Sequence, residues 1–484
     1  MKDFFDKSEV LGVLQGFNTW WSGTAAELPF KRLAYHECRR YLADRALKRA
    51  VLLSGPRRVG KTTILTQIAH DLVSEGTDPL SVFYVSLDHP ILKLLRLHRI
   101  LEIYHEHIHA GGKPTILLLD EVQYSEDWDL ELKQLIDHRP EYRILATGSA
   151  SVVQHHGLVD SGVGRWIEVP IPTLSFFEFC EISGAQAPSV SPNLQPIDFF
   201  SKPNAMDLSS IRLAFKQADL LATFNRYLLV GGFPETACNS GQVALCQRLL
   251  REDVVERVLK RDMTSLFGIR NVGDLERLFL YLCKYTGGIL AVHTCATQLG
   301  VSVPTVSNHL EALQQAHLIY RLPPYELGGK RILKAKHKVY LVDAALRNAV
   351  LLRGEQILSD PEELGIIVET AVLRHLYAYY YREKPQISYW RDARTHHEVD
   401  IIVKGPSFVI PVEVKYRERA PLTEKEGLVM FCRREAVQRA YWITQKDEDL
   451  GVTQFPGIET RFLRIPAYIF LYLLGRAERL MWEK

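Results

Sequence analysis

Gly55-Pro56-Arg57-Arg58-Val59-Gly60-Lys61-Thr62-Thr63 follows the apolar run Ala50–Ser54 and leads directly into the helical stretch Lys61–Ser74. Strand, glycine-bracketed turn and Lys-Thr helix start, in the spacing G-x-x-x-x-G-K-[ST], make a phosphate-cradling loop. The glycines let backbone N–H groups close on phosphate oxygens, and the helix start adds the positive end of its dipole. Residues Gly55 to Thr63 are therefore expected to bind ATP. Lys61 would reach the β- and γ-phosphates, and the Thr62 hydroxyl would bind Mg²⁺.

Working outward, strands are expected at 80–87, 115–119 and 143–147, with helices at 91–109 and Trp128–His138 between them. Alternating strands and helices imply a parallel α/β sheet. The run Ile116-Leu117-Leu118-Leu119-Asp120-Glu121 places two acids at a strand's C-terminal end, where such sheets bind ligands. Asp120 is expected to hold Mg²⁺, and Glu121 to orient and deprotonate the attacking water. The next strand ends Thr147-Gly148-Ser149, whose hydroxyls are placed to sense the γ-phosphate.

The order of these parts resembles AAA ATPases. A prokaryotic group within them is similar at Gly55–Thr62, Asp120-Glu121-Val122-Gln123, Thr147-Gly148-Ser149 and Leu174-Ser175-Phe176-Phe177-Glu178-Phe179. Gly231-Gly232-Phe233-Pro234-Glu235 resembles that group's lid motif. The resemblance implies a helical lid and assembly into a homo-oligomer, as a ring whose neighbour supplies an arginine finger. Arg165 is the residue carried over for that role, with a surface salt bridge as the alternative. Arg57 and Arg58 are further candidates, or braces of the loop.

Beyond the ATPase region, Cys295–Gly300 and Val301–Leu313 read as helix, glycine turn and a second helix rich in Ser, Thr and Asn. With the basic hairpin holding Lys330, Arg331, Lys334, Lys336 and Lys338, this looks like a winged helix. DNA is the expected partner: Thr305, Ser307, Asn308 and His309 near base edges, the wing lysines on phosphates. A packing role is the alternative, since the second helix has no Arg or Lys on its presumed reading face.

Near the C-terminus, Glu398-Val399-Asp400 and Pro411-Val412-Glu413-Val414-Lys415 lie on two expected strands. Side chains alternate along a strand, so Glu413 and Lys415 share one face. Paired carboxylates bind Mg²⁺ or Mn²⁺ as hard oxygen ligands. Asp-(x)n-Glu-x-Lys resembles the PD-(D/E)XK nuclease superfamily. Ile367-Val368-Glu369 is expected to open the preceding helix, and the resemblance implies Glu369, Asp400 and Glu413 as metal ligands, with Asp400, Glu413 and Lys415 catalytic. Residues 320–450 also resemble the domain fused to this ATPase group.

The net charge of +2 offers no whole-chain attraction for nucleic acid, so any basic surface must be local. No apolar run reaches the ~18–20 residues of a membrane span. The seven cysteines are scattered without a Cys-x-x-Cys pair, which fits a reducing cytoplasm and disfavours zinc. His105, His107 and His109 fall in a stretch that reads as helix, where alternate residues do not share a face.

The expected architecture is an α/β AAA-type P-loop sheet with a helical lid, a winged-helix module and a C-terminal restriction-endonuclease-like α/β domain. The boundaries are 1–48 N-terminal helical segment, 49–184 ATPase core, 185–212 surface insertion, 213–270 lid, 271–350 winged helix and 351–484 nuclease-like domain. The expected function is an ATP-hydrolysing cytoplasmic protein with a metal-dependent DNA nuclease under ATP control. The alternative is a nucleotide switch or DNA-remodelling ATPase whose nuclease-like domain only binds a partner.

Overall fold

The computed structural model describes residues 6–23, 28–44, 46–148, 164–201, 207–325 and 335–481. The chain divides into two units: Met1–Ile171 with Gln315–His317, and Pro172–Gln314 with Leu318–Lys484.

The first unit is built on five strands: β1 (Ala50–Ser54), β2 (Val82–Ser86), β3 (Thr115–Asp120), β4 (Tyr142–Gly148) and β5 (Trp166–Pro170). They run in the order β2-β3-β4-β1-β5, and every pair is parallel. β1, β2 and the last four residues of β3 are buried throughout, as a sheet covered on both faces requires. β1 lies between β4 and β5. The turn leaving it therefore opens beside the ends of β3 and β4, with Leu53 level with Thr147.

The expected all-helical N-terminus is a helix at Lys7–Phe17, a 3₁₀ turn at Thr19–Ser22 and a helix at Leu33–Ala43. Its first part covers the free edge of β2. Asn18 Nδ2 donates to the Tyr84 carbonyl at 2.8 Å and its Oδ1 accepts from the Tyr84 amide at 2.7 Å. The Trp20 and Trp21 indoles both donate to Val82 O, at 3.0 and 3.1 Å. Side chains thus satisfy backbone groups that an edge strand leaves open.

The second unit holds a strand pair, β6 (Ile319–Leu322) with β7 (Lys338–Leu341), which is antiparallel. It also holds a six-stranded mixed sheet: β8 (Gln386–Arg391), β9 (Glu398–Lys404), β10 (Val409–Val414), β11 (Arg439–Thr444), β12 (Gly451–Thr453) and β13 (Arg461–Pro466). Its order is β12-β13-β11-β10-β9-β8. β8–β9–β10 form an antiparallel meander, and β10, β11 and β13 run parallel.

Two expectations change here. Glu369 does not open its helix: the helix Pro361–Tyr380 starts two turns earlier, capped by the Asp360 carboxylate on the Glu362 and Glu363 amides. The polar stretch 185–212 is not simply a surface insertion. Leu194, Phe199 and Phe200 are buried, and Arg476 donates to Leu194 O at 2.8 Å. Three apolar side chains anchor a segment whose average composition is polar. All described cysteines are free thiols, and no described helix is long and apolar enough to cross a membrane.

Candidate functional site

The loop from β1 to the helix Lys61–Ser74 has the shape its glycines permit. Gly60 sits at φ +96°, in the left-handed region that a side chain disfavours. A Cβ on Gly55 would run into the Ile171 carbonyl, so the loop passes β5 only without a side chain. Arg58 accepts φ +63°. Lys61 is buried, and its ammonium donates to Gly55 O at 2.9 Å and Pro56 O at 2.8 Å.

Asp120 collects three hydroxyl donors from three elements. Thr62 Oγ1 donates to Oδ2 at 2.7 Å and Tyr84 Oη to the same oxygen at 3.0 Å, while Thr147 Oγ1 donates to Oδ1. Burial, and the charge of Glu121 beside it, push the Asp120 carboxyl above its usual range, and the hydroxyl bonds work in the opposite direction. Thr147 also accepts the Glu121 amide at 3.0 Å, so it ties the two acids together. Glu121 is in the left-handed region at φ +55°, with Gln123 Nε2 donating to its carboxylate. Such backbone strain concentrates at functional positions. Ser149, paired with Thr147 in the sequence reading, lies outside the described residues.

Mg²⁺ suits this donor set. Thr62 Oγ1 and Asp120 Oδ2 converge as hard oxygens, and magnesium takes few protein ligands, drawing the remainder from phosphate and water. Two contributors had escaped the sequence reading. The buried Arg32 braces the loop, its Nη1 donating to Val59 O at 2.9 Å. Tyr84 is the third donor on Asp120. Tyr84 shares a strand face with Ser86, which is level with Asp120, so period-2 reading of β2 carried a trace of it. Arg57 Nη2 donates to Tyr124 Oη at 2.8 Å, as a brace of the loop would. Arg165 Nε is 3.0 Å from Asp137 Oδ1, an ion pair within its own unit.

A second acidic site lies in the second unit, and the structure does bring Asp400, Glu413 and Lys415 together. Val414 N–H donates to Asp400 Oδ2 at 3.0 Å, Asp400 N–H to Glu413 Oε2 at 3.3 Å, and Lys415 pairs with Glu413. Glu369 joins from the helix Pro361–Tyr380, its Oε1 accepting from Tyr340 Oη at 2.5 Å. Between Asp400, Glu369 and Glu398 stands Lys338. Its Nζ is 3.2 Å from Asp400 Oδ1 and 3.5 Å from Glu369 Oε1, and it pairs with Glu398 Oε1.

Lys338 was expected in a basic wing, but its side chain is 4% exposed. In β7 it alternates with Val339, so Lys338 and Tyr340 share the face that meets Glu369. That spacing was the available signal. The nearby Lys334 and Lys336 made Lys338 read as one more surface charge. Lys330, Arg331 and Lys334 lie outside the described residues, and Lys336 is exposed.

Electrostatics follow the geometry. Burial, then the Asp400 charge, raise the Glu369 and Glu413 carboxyls above their usual range. Burial works against the Lys338 ammonium, but Tyr340 and the Glu369, Asp400 and Glu398 carboxylates outweigh it and hold its pKa well above the usual lysine value. A divalent metal does not fit this arrangement. With Lys338 in place, no group of three His, Cys, Asp or Glu side chains among the described residues is arranged to hold a metal ion. The expectation that Glu369, Asp400 and Glu413 would do so meets oxygens already engaged by Lys338, Lys415, Tyr340 and two backbone amides.

On the helix Val303–Gln315, Ser307 and Asn308 are exposed, but His309 is 7% exposed with both ring nitrogens unpartnered. His309 therefore does not face a base edge as the sequence reading expected. His105, within the helix Leu97–His107, contacts the His109 carbonyl and the Tyr142 hydroxyl. Gly232 donates to Asp343 at 2.9 Å, so the Gly231–Glu235 motif is locked by packing inside the second unit.

Residues 47–180 match the AAA domain family, 221–356 a domain of unknown function, DUF8612, and 364–468 another, DUF4143. Residues 47–180 are thus an AAA-type P-loop domain. An uncharacterized protein of Methanocaldococcus jannaschii is 26% identical over 71% of this chain and 70% of its own length. One of Haemophilus influenzae is 24% identical over 68% and 75% respectively. Among solved structures, the RuvB Holliday junction branch migration motor of Thermotoga maritima aligns at 20% identity, over 62% of this chain and 92% of that one, with a TM-score of 0.29. Aeropyrum pernix ORC1, solved in complex with DNA, aligns at 14% identity over 68% and 93%, with a TM-score of 0.31. Scores this low carry no argument about function.

Proposed function

We propose that the chain is a magnesium-dependent ATPase that works as a nucleotide switch, with a C-terminal domain that grips a partner. The observation that carries this reading is the convergence of Thr62 Oγ1 and Thr147 Oγ1 on the buried Asp120, directly beside Glu121. The loop Gly55–Thr63 would hold the phosphates through its amides and Lys61. Bound magnesium supplies charge neutralisation of the phosphate oxygens. Glu121, fixed by the hydrogen bond that its backbone N–H donates to Thr147 Oγ1, is placed to orient a water and accept its proton.

The test is phosphate release from ATP with and without Mg²⁺. Native protein should hydrolyse ATP only with the metal. Glu121→Gln should keep ATP binding and lose turnover, whereas Lys61→Ala should lose both. Native protein with no metal-dependent release above background would overturn the reading.

A second reading is a nuclease at Asp400, Glu413 and Lys415, favoured by the meeting of Asp400 on β9, Glu413 on β10 and Lys415 directly after β10. The gripping reading is preferred because the carboxylate oxygens there already have partners. A cleavage assay on single- and double-stranded DNA with Mg²⁺ or Mn²⁺, with Glu413→Ala as control, separates the two. Assembly into a homo-oligomer and contact with DNA through the exposed Ser307 and Asn308 belong to the same proposal. Sedimentation with and without ATP, and DNA binding across a salt series, test those two parts.

A further inference from the structure

We infer that the Lys338 ammonium is the resident cation of the carboxylate cluster around Asp400, standing where a divalent metal would stand and excluding it. The inference deepens the gripping reading of the C-terminal domain and is independent of the ATPase reading.

Three observations carry it. The first is placement: Lys338 Nζ lies 3.2 Å from Asp400 and 3.5 Å from Glu369 and also pairs with Glu398, so one cation serves carboxylates from a helix and a strand. A point charge with several oxygen neighbours in a buried setting does what a hard metal ion does.

The second is access. A cavity of about 370 Å³, lined by Tyr281, Tyr285, Gly287, Ile366 and Glu369, opens onto the cluster. The Glu398 side chain is 28% exposed. An ion from solvent has a route in, so occupancy by Lys338, rather than closure, keeps metal out.

The third is how Lys338 is held. Just before it, the Lys336 carbonyl accepts from Tyr389 Oη at 2.8 Å. At the other base of the same hairpin, Tyr325 N–H donates to Tyr389 O at 2.6 Å, and Tyr389 N–H donates to Pro323 O at 3.1 Å. β8, the outer strand of the six-stranded sheet, thereby carries both ends of the hairpin, and Lys338 is delivered into the cluster by backbone pairing. On the far side, the Val339 amide donates to Gly288 O at 3.2 Å. Moving the Lys338 backbone out of the cluster would therefore require withdrawing β7 from both neighbours.

The experiment is Mn²⁺ titration by electron paramagnetic resonance on the full chain without nucleotide. The Thr62→Ala background removes one of the two protein oxygens that would hold metal at the other site, and the Asp400→Asn comparison isolates the cluster. The chain with Lys338 should leave the free-Mn²⁺ signal unchanged by Asp400→Asn. Lys338→Met should bind one Mn²⁺ at least about tenfold more tightly, and adding Asp400→Asn should abolish that binding. Asp400-dependent Mn²⁺ binding by the chain that keeps Lys338 overturns the inference. So does a folded Lys338→Met chain that binds none. Should Lys338→Met fail to fold, the comparison with and without Asp400→Asn on the Lys338 chain decides the matter alone. ATP hydrolysis is not measured in any arm, so the outcome is separate from the fate of the ATPase reading.

Discussion

Each unit buries a lysine near a buried aspartate, and the two lysines are used in opposite ways. Lys61 donates to two neutral backbone carbonyls of its own loop, while Asp120 is dressed by hydroxyls. Lys338 sits among carboxylates, and Asp400 is one of them. Hydroxyl and carbonyl contacts are exchangeable: a phosphate or a magnesium ion replaces them at modest cost. An ion pair buried among several acids is not, because removing one member leaves charge uncompensated in a dry setting. The first site is thus arranged to accept a ligand, and the second to be complete without one.

The sharpest way to break this contrast is one substitution made at both sites. Lys61→Met should lower ATP hydrolysis by roughly a thousandfold, as expected for losing a preorganised donor to transferring phosphate. Its effect on folding should be the smaller of the two. Lys338→Met should leave hydrolysis measurable but destabilise the second unit by about 3–5 kcal/mol in denaturant unfolding. Equal destabilisation at both positions would erase the distinction.

These two sites were not equally legible in the sequence. The phosphate loop is contiguous, and each of its residues acts through its own backbone or the helix it starts, so Gly55 to Thr63 could be read as a unit. Asp400, Glu413 and Lys415 were also readable, since strand alternation and a short hairpin fix their neighbourhood. Lys338 was not, because its role depends on hairpin residues 323–325 and 336–338 docking on β8, a pairing between segments far apart in the chain. Arg32 and Tyr84 were missed for the same reason: each acts on a motif from outside it. Glu369 was recognised as an acid of the site but misplaced along its helix, whose start is set by Asp360 and Pro361.

Acidity offers a finer probe. Glu369 and Glu413 have raised folded-state pKa values, from burial and the Asp400 charge. A raised carboxyl favours the fold while protonated, so its contribution is complete below the unfolded value near ~4.3 and is lost as pH climbs through the raised folded value. Amide hydrogen exchange in β9 and β10, corrected for intrinsic rates, should therefore speed up by roughly tenfold or more from mildly acidic to mildly alkaline solution. Protection that grows with pH would mean that pairing with Lys338 and Lys415 outweighs burial. A smaller effect is expected at the first site from Tyr84→Phe. Losing one of three hydroxyl donors costs about 1 kcal/mol and should weaken Mg²⁺-ATP binding about fivefold, measurable by calorimetry. Unchanged affinity would show that Thr62 and Thr147 suffice to set Asp120.

Arg165 should show the least effect, and for that reason it is informative. Its guanidinium is partly exposed and paired with Asp137 of its own unit. An exposed pair of this kind adds little to stability, since solvent and salt screen it. Arg165→Ala should leave thermal unfolding unchanged, and with it hydrolysis per chain at every protein concentration. An arginine finger supplied by a neighbouring subunit behaves differently. Hydrolysis would then rise with protein concentration in the native chain, and Arg165→Ala would abolish that rise while ATP binding stayed intact. Mixing Arg165→Ala with Glu121→Gln chains would restore turnover only if the arginine acts across an interface. Such recovery would move Arg165 out of the Asp137 pair and into the catalytic site, and would make the first unit a half-site completed by its neighbour.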